Sequence, residues 1–195
     1  VRERTVDTVD RLMQDALDRT GYEEVSLVSL STCDHSHAAE LVQRAAERAR
    51  ATDASVSLPS LRLDTFAIDL ADRIAGVRRS GLTFAPEAAT PRLSAVINKW
   101  IPDEDFIAMS REAFRRGWTH VKAYFMIGLP TERDEDVEAI VDLCLRALDA
   151  GKAVNRRARV HTGVSIFVPK PFTPFQWAAQ IPMEETIRRQ GLLRE

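Results

Sequence analysis

The sequence predicts an α/β fold built on a parallel sheet. Five short apolar runs alternate with longer stretches of helical periodicity, the pattern left by successive βαβ crossovers. Each run ends in a polar loop rich in Pro, Gly or Ser. The chain's 195 residues, 45% apolar and 29% charged, suit one soluble globular domain able to bury roughly 70% of its unfolded surface. An open doubly wound sheet and a (βα) barrel both fit this order.

Val6, Val9, Leu12, Met13, Ala16 and Leu17 recur at helical spacing, and Gly21 stops them. Val25 to Leu30 reads as a short buried strand. His37 to Arg50 is a helix with Leu41, Val42, Ala45, Ala46 and Ala49 on one side. Ser55 to Leu58 is strand-like, and Pro59 closes it. Thr65 to Val77 reads as a helix, and Gly81 to Phe84 as a strand running into Pro86 and Glu87. Thr90 caps a helix over Pro91 to Asn98, with proline at the first helical position. Asp103 to Arg116 is acidic at its start and basic at its end, as the helix dipole favours, and Gly117 ends it.

His120 to Ile127 is the clearest strand, and Gly128-Leu129-Pro130 breaks it. Asp134 to Ala150 is a helix with Val137, Ile140, Val141, Cys144, Leu145 and Leu148 along one face and Gly151 just beyond. Val160 to Val168 is a strand stopped by Pro169-Lys170-Pro171, and Met183 to Arg194 is a last helix. The opening helix has no earlier strand to pack on, and the chain begins at Val1 rather than Met. A first strand is therefore expected upstream.

With 27 basic and 29 acidic residues the net charge is −2, which disfavours a nucleic-acid binder working by bulk charge. No apolar run approaches the roughly 20 residues of a spanning helix, and no signal or lipidation motif opens the chain, so no membrane partner and a cytoplasmic location are expected. Cys33 and Cys144 show no CxxC or CxxxCxxC spacing and cannot by themselves hold a four-cysteine zinc site or an iron–sulfur cluster.

In parallel α/β folds ligands meet the loops at the C-terminal ends of the strands. Five stretches fall there: GYEEVSLVSLST, SLPSLRLD, GLTFAPEAATPRLSAVINK, VKAYFMIGLPTERDED and VSIFVPKPFTPFQW. In order and position they resemble the radical SAM superfamily, and within it the large proteins that join a cobalamin-binding-like N-terminal domain to a radical SAM barrel. The resemblance covers most of the chain. It implies a partial (βα)6 TIM-like barrel, of which residues 1–195 carry strands two to six of one radical SAM core domain. In that superfamily a CxxxCxxC loop binding a [4Fe–4S] cluster follows the first strand. VRERT resembles the sequence shortly after that loop, so the loop is expected before Val1 and the chain alone is expected to be inactive.

The resemblance also assigns roles. Ser31 and Thr32 fall where the second-strand motif contacts the amino group of S-adenosylmethionine (SAM), and their oxygens can accept from an ammonium. Glu87 falls at the fourth-strand position touching the ribose or amino-acid moiety, and Arg92 could pair bidentately with a carboxylate. Met126, Ile127 and Gly128 match the fifth-strand GxIxGxxE region that packs on adenine, with Glu132 one place later than that pattern. Val168 and Pro169 lie at the sixth-strand end flanking adenine. The implied chemistry is reductive cleavage of SAM to methionine and a 5′-deoxyadenosyl radical that takes hydrogen from a substrate of unknown identity. It implies SAM and a [4Fe–4S] cluster as cofactors, leaves room for cobalamin, and calls for an electron donor such as flavodoxin or ferredoxin. RNA or ribosomal substrates enter only by analogy with methylthiotransferases.

Plainer readings stand beside these. Cys33, Asp34, His35 and His37 read as an ordinary polar loop rather than a metal site. Cys144 lies on an apolar helix face and reads as core. Lys152, Arg156, Arg157 and Arg159 could contact RNA, yet in a chain with 23 Arg and 4 Lys they read as a solvated loop. His120 and His161, at strand starts, read as structural. Phe172, Phe175 and Trp177 either line a pocket or cover a sheet edge. A non-catalytic barrel-like module binding a nucleotide or a partner remains the alternative function. A TIM-barrel metal hydrolase or lyase would need a carboxylate and histidine array that these loops lack.

Overall fold

A computed structural model of the chain describes residues 2–29, 34–57 and 82–194. The expected helix over Thr65–Val77, the loop Pro59–Asp64, and Ser31, Thr32 and Cys33 lie outside the described residues. The chain divides into two compact units, Val1–Thr83 and Phe84–Glu195.

The first unit contains helices α1 (Val6–Thr20) and α2 (Ala38–Thr52) and strands β1 (Glu24–Ser26) and β2 (Ser55–Ser57). Thr5 caps α1 by accepting from the Thr8 N–H at 3.3 Å, and Gly21 closes it in the left-handed conformation at φ +68°, where a side chain is costly. The strands pair in parallel, with Val25 opposite Val56. Val6, Met13, Leu27, Leu41, Val42 and Ala45 form the core. Arg48 ties the helices together with a two-pronged pair to Asp10, both N–O distances 2.7 Å. The first strand is shorter than the expected Val25–Leu30: β1 stops at Ser26, and Val28 is 75% exposed.

Strand β3 (Leu82–Glu87) leads into the second unit, followed by α3 (Pro91–Val96), α4 (Asp103–Arg115), β4 (His120–Ile127), α5 (Asp134–Lys152), β5 (Arg159–Ile166) and α6 (Met183–Leu192). The sheet order is β3-β4-β5, with β4 and β5 parallel in the register His120↔Arg159 through Ile127↔Ile166. Alternation along β4 buries Val121, Ala123, Phe125 and Ile127 and exposes His120, Lys122 and Tyr124 on the other face. Among the described residues the strands form these two sheets and establish an α/β fold with parallel pairing. The barrel implied by the resemblance goes beyond them.

Two details of α5 depart from the sequence reading. Gly151 lies within the helix rather than past its end, and a β-carbon there would meet the Phe114 ring, with Cε2 at 2.6 Å. It permits α4 and α5 to approach closely. The inward set is Val137, Ile140, Leu143 and Ala147, whereas Leu145, expected on the apolar face, is 54% exposed. Cys144 is half-buried, and its sulfur accepts from Thr162 Oγ1 at 3.2 Å. Strand β5 ends at Ile166, leaving Val168 outside the ladder and 52% exposed. No helix among the described residues is long and apolar enough to cross a membrane.

Candidate functional site

The C-terminal ends of β3, β4 and β5 converge on one apolar cluster. Ala88 follows β3, Leu129 follows β4 and Phe167 follows β5, and these three pack with Leu93 of α3. Met126, Phe175 and Ala178 close around them, with the Phe167 and Phe175 rings edge to face at 6.0 Å. The Phe167 N–H donates to the Ile127 carbonyl at 2.8 Å, extending the β4–β5 pairing into the site.

Glu87 is the last residue of β3 and sits at φ +69°, in the left-handed region that a residue with a side chain enters at a cost of roughly 1–2 kcal/mol. Its Oε1 accepts from Lys99 Nζ at 3.2 Å, and its side chain is 25% exposed. Oε2 takes no bond from the described residues, and the next residue, Ala88, belongs to the apolar cluster. Backbone strain of this kind clusters at active sites and ligand clamps.

Asp136 ties two of the strand-end loops together. Its buried carboxylate accepts from the Thr90 hydroxyl, from the Arg92 guanidinium and from the Arg133 N–H at 2.8 Å. Arg92 also donates Nη2 to the Thr131 carbonyl at 2.9 Å. Thr90 meanwhile caps α3 by accepting from the Leu93 N–H at 3.3 Å. Burial pushes the Asp136 pKa up, but the Thr90 hydroxyl, the Arg133 N–H and Arg92 together outweigh it and hold the carboxyl below its ordinary range. The carboxylate expected for Arg92 in a ligand is, in the structure, that of Asp136, met through Nη2 alone, and the remaining Arg92 donation goes to Thr131. The N3 position of a helix opening Asp-Glu-Asp was the sequence signal for this carboxylate.

Gly128 adopts φ +83°, and its N–H donates to Glu132 Oε2 at 2.6 Å. A β-carbon on Gly128 would meet Ile181 at 2.9 Å, so the close approach that glycine allows is used by the chain's own side chain. The Glu132 side chain is 1% exposed and is paired with Arg189 of α6. Burial raises its pKa against the opposing pull of the Gly128 N–H and Arg189. Glu132 thus fixes the turn after β4, a role that its offset from the family pattern did not suggest.

Glu87, Met126, Ile127, Gly128, Val168 and Pro169 therefore share one end of the sheet, whereas Ser31 and Thr32 fall outside the described residues. In the first unit, a cleft of about 530 Å³ runs between Leu12, Met13, Leu27 and Leu41 and reaches Asp34 and His35. The nitrogens of His35 are engaged there, Nε2 with the Arg4 carbonyl at 2.9 Å and Nδ1 with the His37 N–H at 3.0 Å. A carboxylate next to an apolar shelf suits a ligand with hydroxyls on one side and a flat ring on the other.

Comparison with known proteins bears on this end of the sheet. The family model of the radical SAM superfamily matches residues 1–144. An uncharacterised protein of Methanocaldococcus jannaschii is 33% identical over 176 residues, which cover 90% of this chain and 36% of that protein. The chain thus spans about a third of the length of that relative. Val168 and Pro169 lie beyond the family match.

Proposed function

The chain belongs to the radical SAM superfamily, and from that premise we propose that it forms part of the catalytic core of an iron–sulfur enzyme acting through S-adenosylmethionine. The chemistry such an enzyme draws on is one-electron cleavage of SAM to methionine and a 5′-deoxyadenosyl radical, which takes hydrogen from a substrate. The residues at the strand ends fit the nucleoside. Glu87, strained and with a free oxygen, accepts from ribose hydroxyls. Met126 and the cluster around Phe167 offer the apolar surface on which adenine packs. The Asp136 tie holds the loops after β3 and β4 at a fixed separation, so that both groups meet one ligand without reorganisation.

The residues do not fit the cluster. Cys33 and Cys144 are the chain's two cysteines, and the Cys144 thiol lies against Thr162, where burial pushes its pKa up and away from the thiolate that iron requires. In this reading the thiolates come from a part of the full-length protein outside residues 1–195. The electron donor is a small redox protein of the flavodoxin or ferredoxin kind, and the protein works in the cytoplasm. Cobalamin is not part of the proposal.

The observation that carries the reading is the Glu87 carboxylate, held at a left-handed strand end beside the apolar shelf. Anaerobic cluster reconstitution of the full-length protein, followed by chromatography for 5′-deoxyadenosine, tests it. Wild type is expected to form the product, and Glu87→Gln to form it at least about tenfold more slowly, since a hydrogen-bond acceptor for a bound hydroxyl is weakened. A fully loaded cluster with no product overturns the proposal. Residues 1–195 alone are expected to bind SAM weakly, and submicromolar affinity by calorimetry would contradict that.

A further inference from the structure

The opposite end of the same sheet carries a feature that SAM chemistry leaves unused. At the N-terminal ends of β4 and β5, an open cleft of about 940 Å³ is lined by Lys152, Arg156, Arg157, Arg159, His120 and His161. No carboxylate lines it. Six other arginines of this unit are matched to acids: Arg92 to Asp136, Arg115 and Arg116 to Glu112, Arg146 to Asp103 and Glu104, Arg188 to Asp134, and Arg189 to Glu132. The four cations of the cleft are exposed and have no such partner among the described residues.

The backbone beneath them is held firmly. Asn155 donates through Nδ2 to the Trp118 carbonyl at 3.0 Å and to the Phe114 carbonyl at 3.3 Å, and its Oδ1 accepts from the Arg157 N–H at 3.0 Å. Ala158 is buried, and the Arg159 N–H donates to the Thr119 carbonyl at 2.9 Å. Unpaired guanidiniums thus project from a fixed loop, which concentrates positive potential and leaves forked donors open to an external anion. The same cleft also holds a flat surface. The His120 and His161 rings are stacked, with centroids 5.4 Å apart and planes 27° from parallel, on the exposed face of the sheet.

Cations sharing a cleft with a stacked aromatic pair match a chain that carries both phosphates and unstacked bases. An acidic peptide would engage the cations but has no use for the stacked imidazoles. We propose that this cleft binds a single-stranded polynucleotide, with Lys152, Arg156, Arg157 and Arg159 on the phosphodiesters and the His120–His161 pair beneath a base.

Fluorescence anisotropy of the full chain with labelled oligo(U) and oligo(dT) tests this without SAM or cluster, so its failure would leave the SAM reading untouched. Four phosphate contacts on a single strand give a salt slope near −2.8, so affinity is expected to fall about 50-fold between about 50 and 200 mM salt. Arg156→Gln with Arg157→Gln is expected to reduce that slope by about 1.4. His120→Ala and His161→Ala are each expected to weaken binding by about fivefold or more at unchanged slope. Arg111→Gln, on the exposed surface of α4, is expected to change nothing. Preference for oligo(U) would show a ribose 2′-hydroxyl contact, and equal binding would show contact through phosphate and base alone, either outcome supporting the cleft. No binding at low salt, or an unchanged slope in the double arginine variant, overturns the proposal. So does displacement by polyglutamate as effective as by oligonucleotide when the histidine variants bind like wild type, a result that would assign the surface to an acidic protein.

Discussion

Asp136→Asn removes one charge from the point where the loops after β3 and β4 are tied. The Asp136 side chain is 4% exposed and its partner Arg92 36%. Breaking a fully buried pair costs about 3–5 kcal/mol and losing an exposed one under about 1, so a pair with one partner buried and the other a third exposed implies a loss of about 2–3 kcal/mol. The amide also turns a donor toward Thr90 or Arg92, where the carboxylate offered only acceptors. Urea unfolding followed by Trp118 emission reads the change in the second unit, since Trp118 is 3% exposed whereas Trp100 and Trp177 are 59% and 90% exposed. The midpoint is expected to fall with an unchanged slope. Because the folded pKa of Asp136 is depressed, its contribution is present above the unfolded carboxyl value of about 3.9 and is lost as pH falls through the folded value. The gap between wild type and variant is therefore expected to narrow below about pH 4. A loss under about 0.5 kcal/mol at neutral pH, or a gap that stays constant into acid, would refute the assignment of Asp136 as the tie.

Gly151→Ala is expected to destabilise the second unit by about 1–3 kcal/mol in the same assay, because the new methyl overlaps the Phe114 ring, and pairing it with Phe114→Leu is expected to restore part of the loss. Glu87→Gly is expected to leave stability unchanged or raise it by up to about 1 kcal/mol while abolishing 5′-deoxyadenosine formation, since relief of the left-handed strain offsets the lost Lys99 pair; a loss above about 1 kcal/mol would contradict this. The Cys144 thiol is expected to react slowly with iodoacetamide near neutral pH and readily once the chain is unfolded, as peptide mass spectrometry of the alkylated protein would show.

The parts of the fold legible in the sequence were those encoded by neighbouring residues. Thr90 with Pro91 announced the start of α3, Gly21 the end of α1, and the alternation from Val121 to Ile127 gave β4 its full extent. Gly151 misled because its partner Phe114 is distant in the chain, and a glycine near a helix end carries the same local signal whether it caps the helix or makes room for a ring. At the strand ends, the positions of Glu87, Met126 and Gly128 at one end of the sheet were legible from the breaks at Pro86 and Gly128-Leu129-Pro130, while their roles rest on the resemblance alone. Arg92 was legible as a fork seeking a carboxylate, but not as one already satisfied by Asp136, which lies 44 positions on. The segment from Lys152 to Arg159 is exposed as its composition suggests, while the His120–His161 stack beside it becomes visible only once β4 and β5 lie side by side.

The pairing of Glu132 with Arg189 joins residues 57 positions apart. During synthesis at roughly 5–20 residues per second, the turn after β4 leaves the ribosome about 3–11 s ahead of the arginine that neutralises it. Through that interval Glu132 either stays in water or enters the interior carrying a proton, and in neither case is the Gly128 N–H held by a carboxylate backed by its cation. The turn after β4 thus sets only once helix α6 has been made, although its own residues emerge well before.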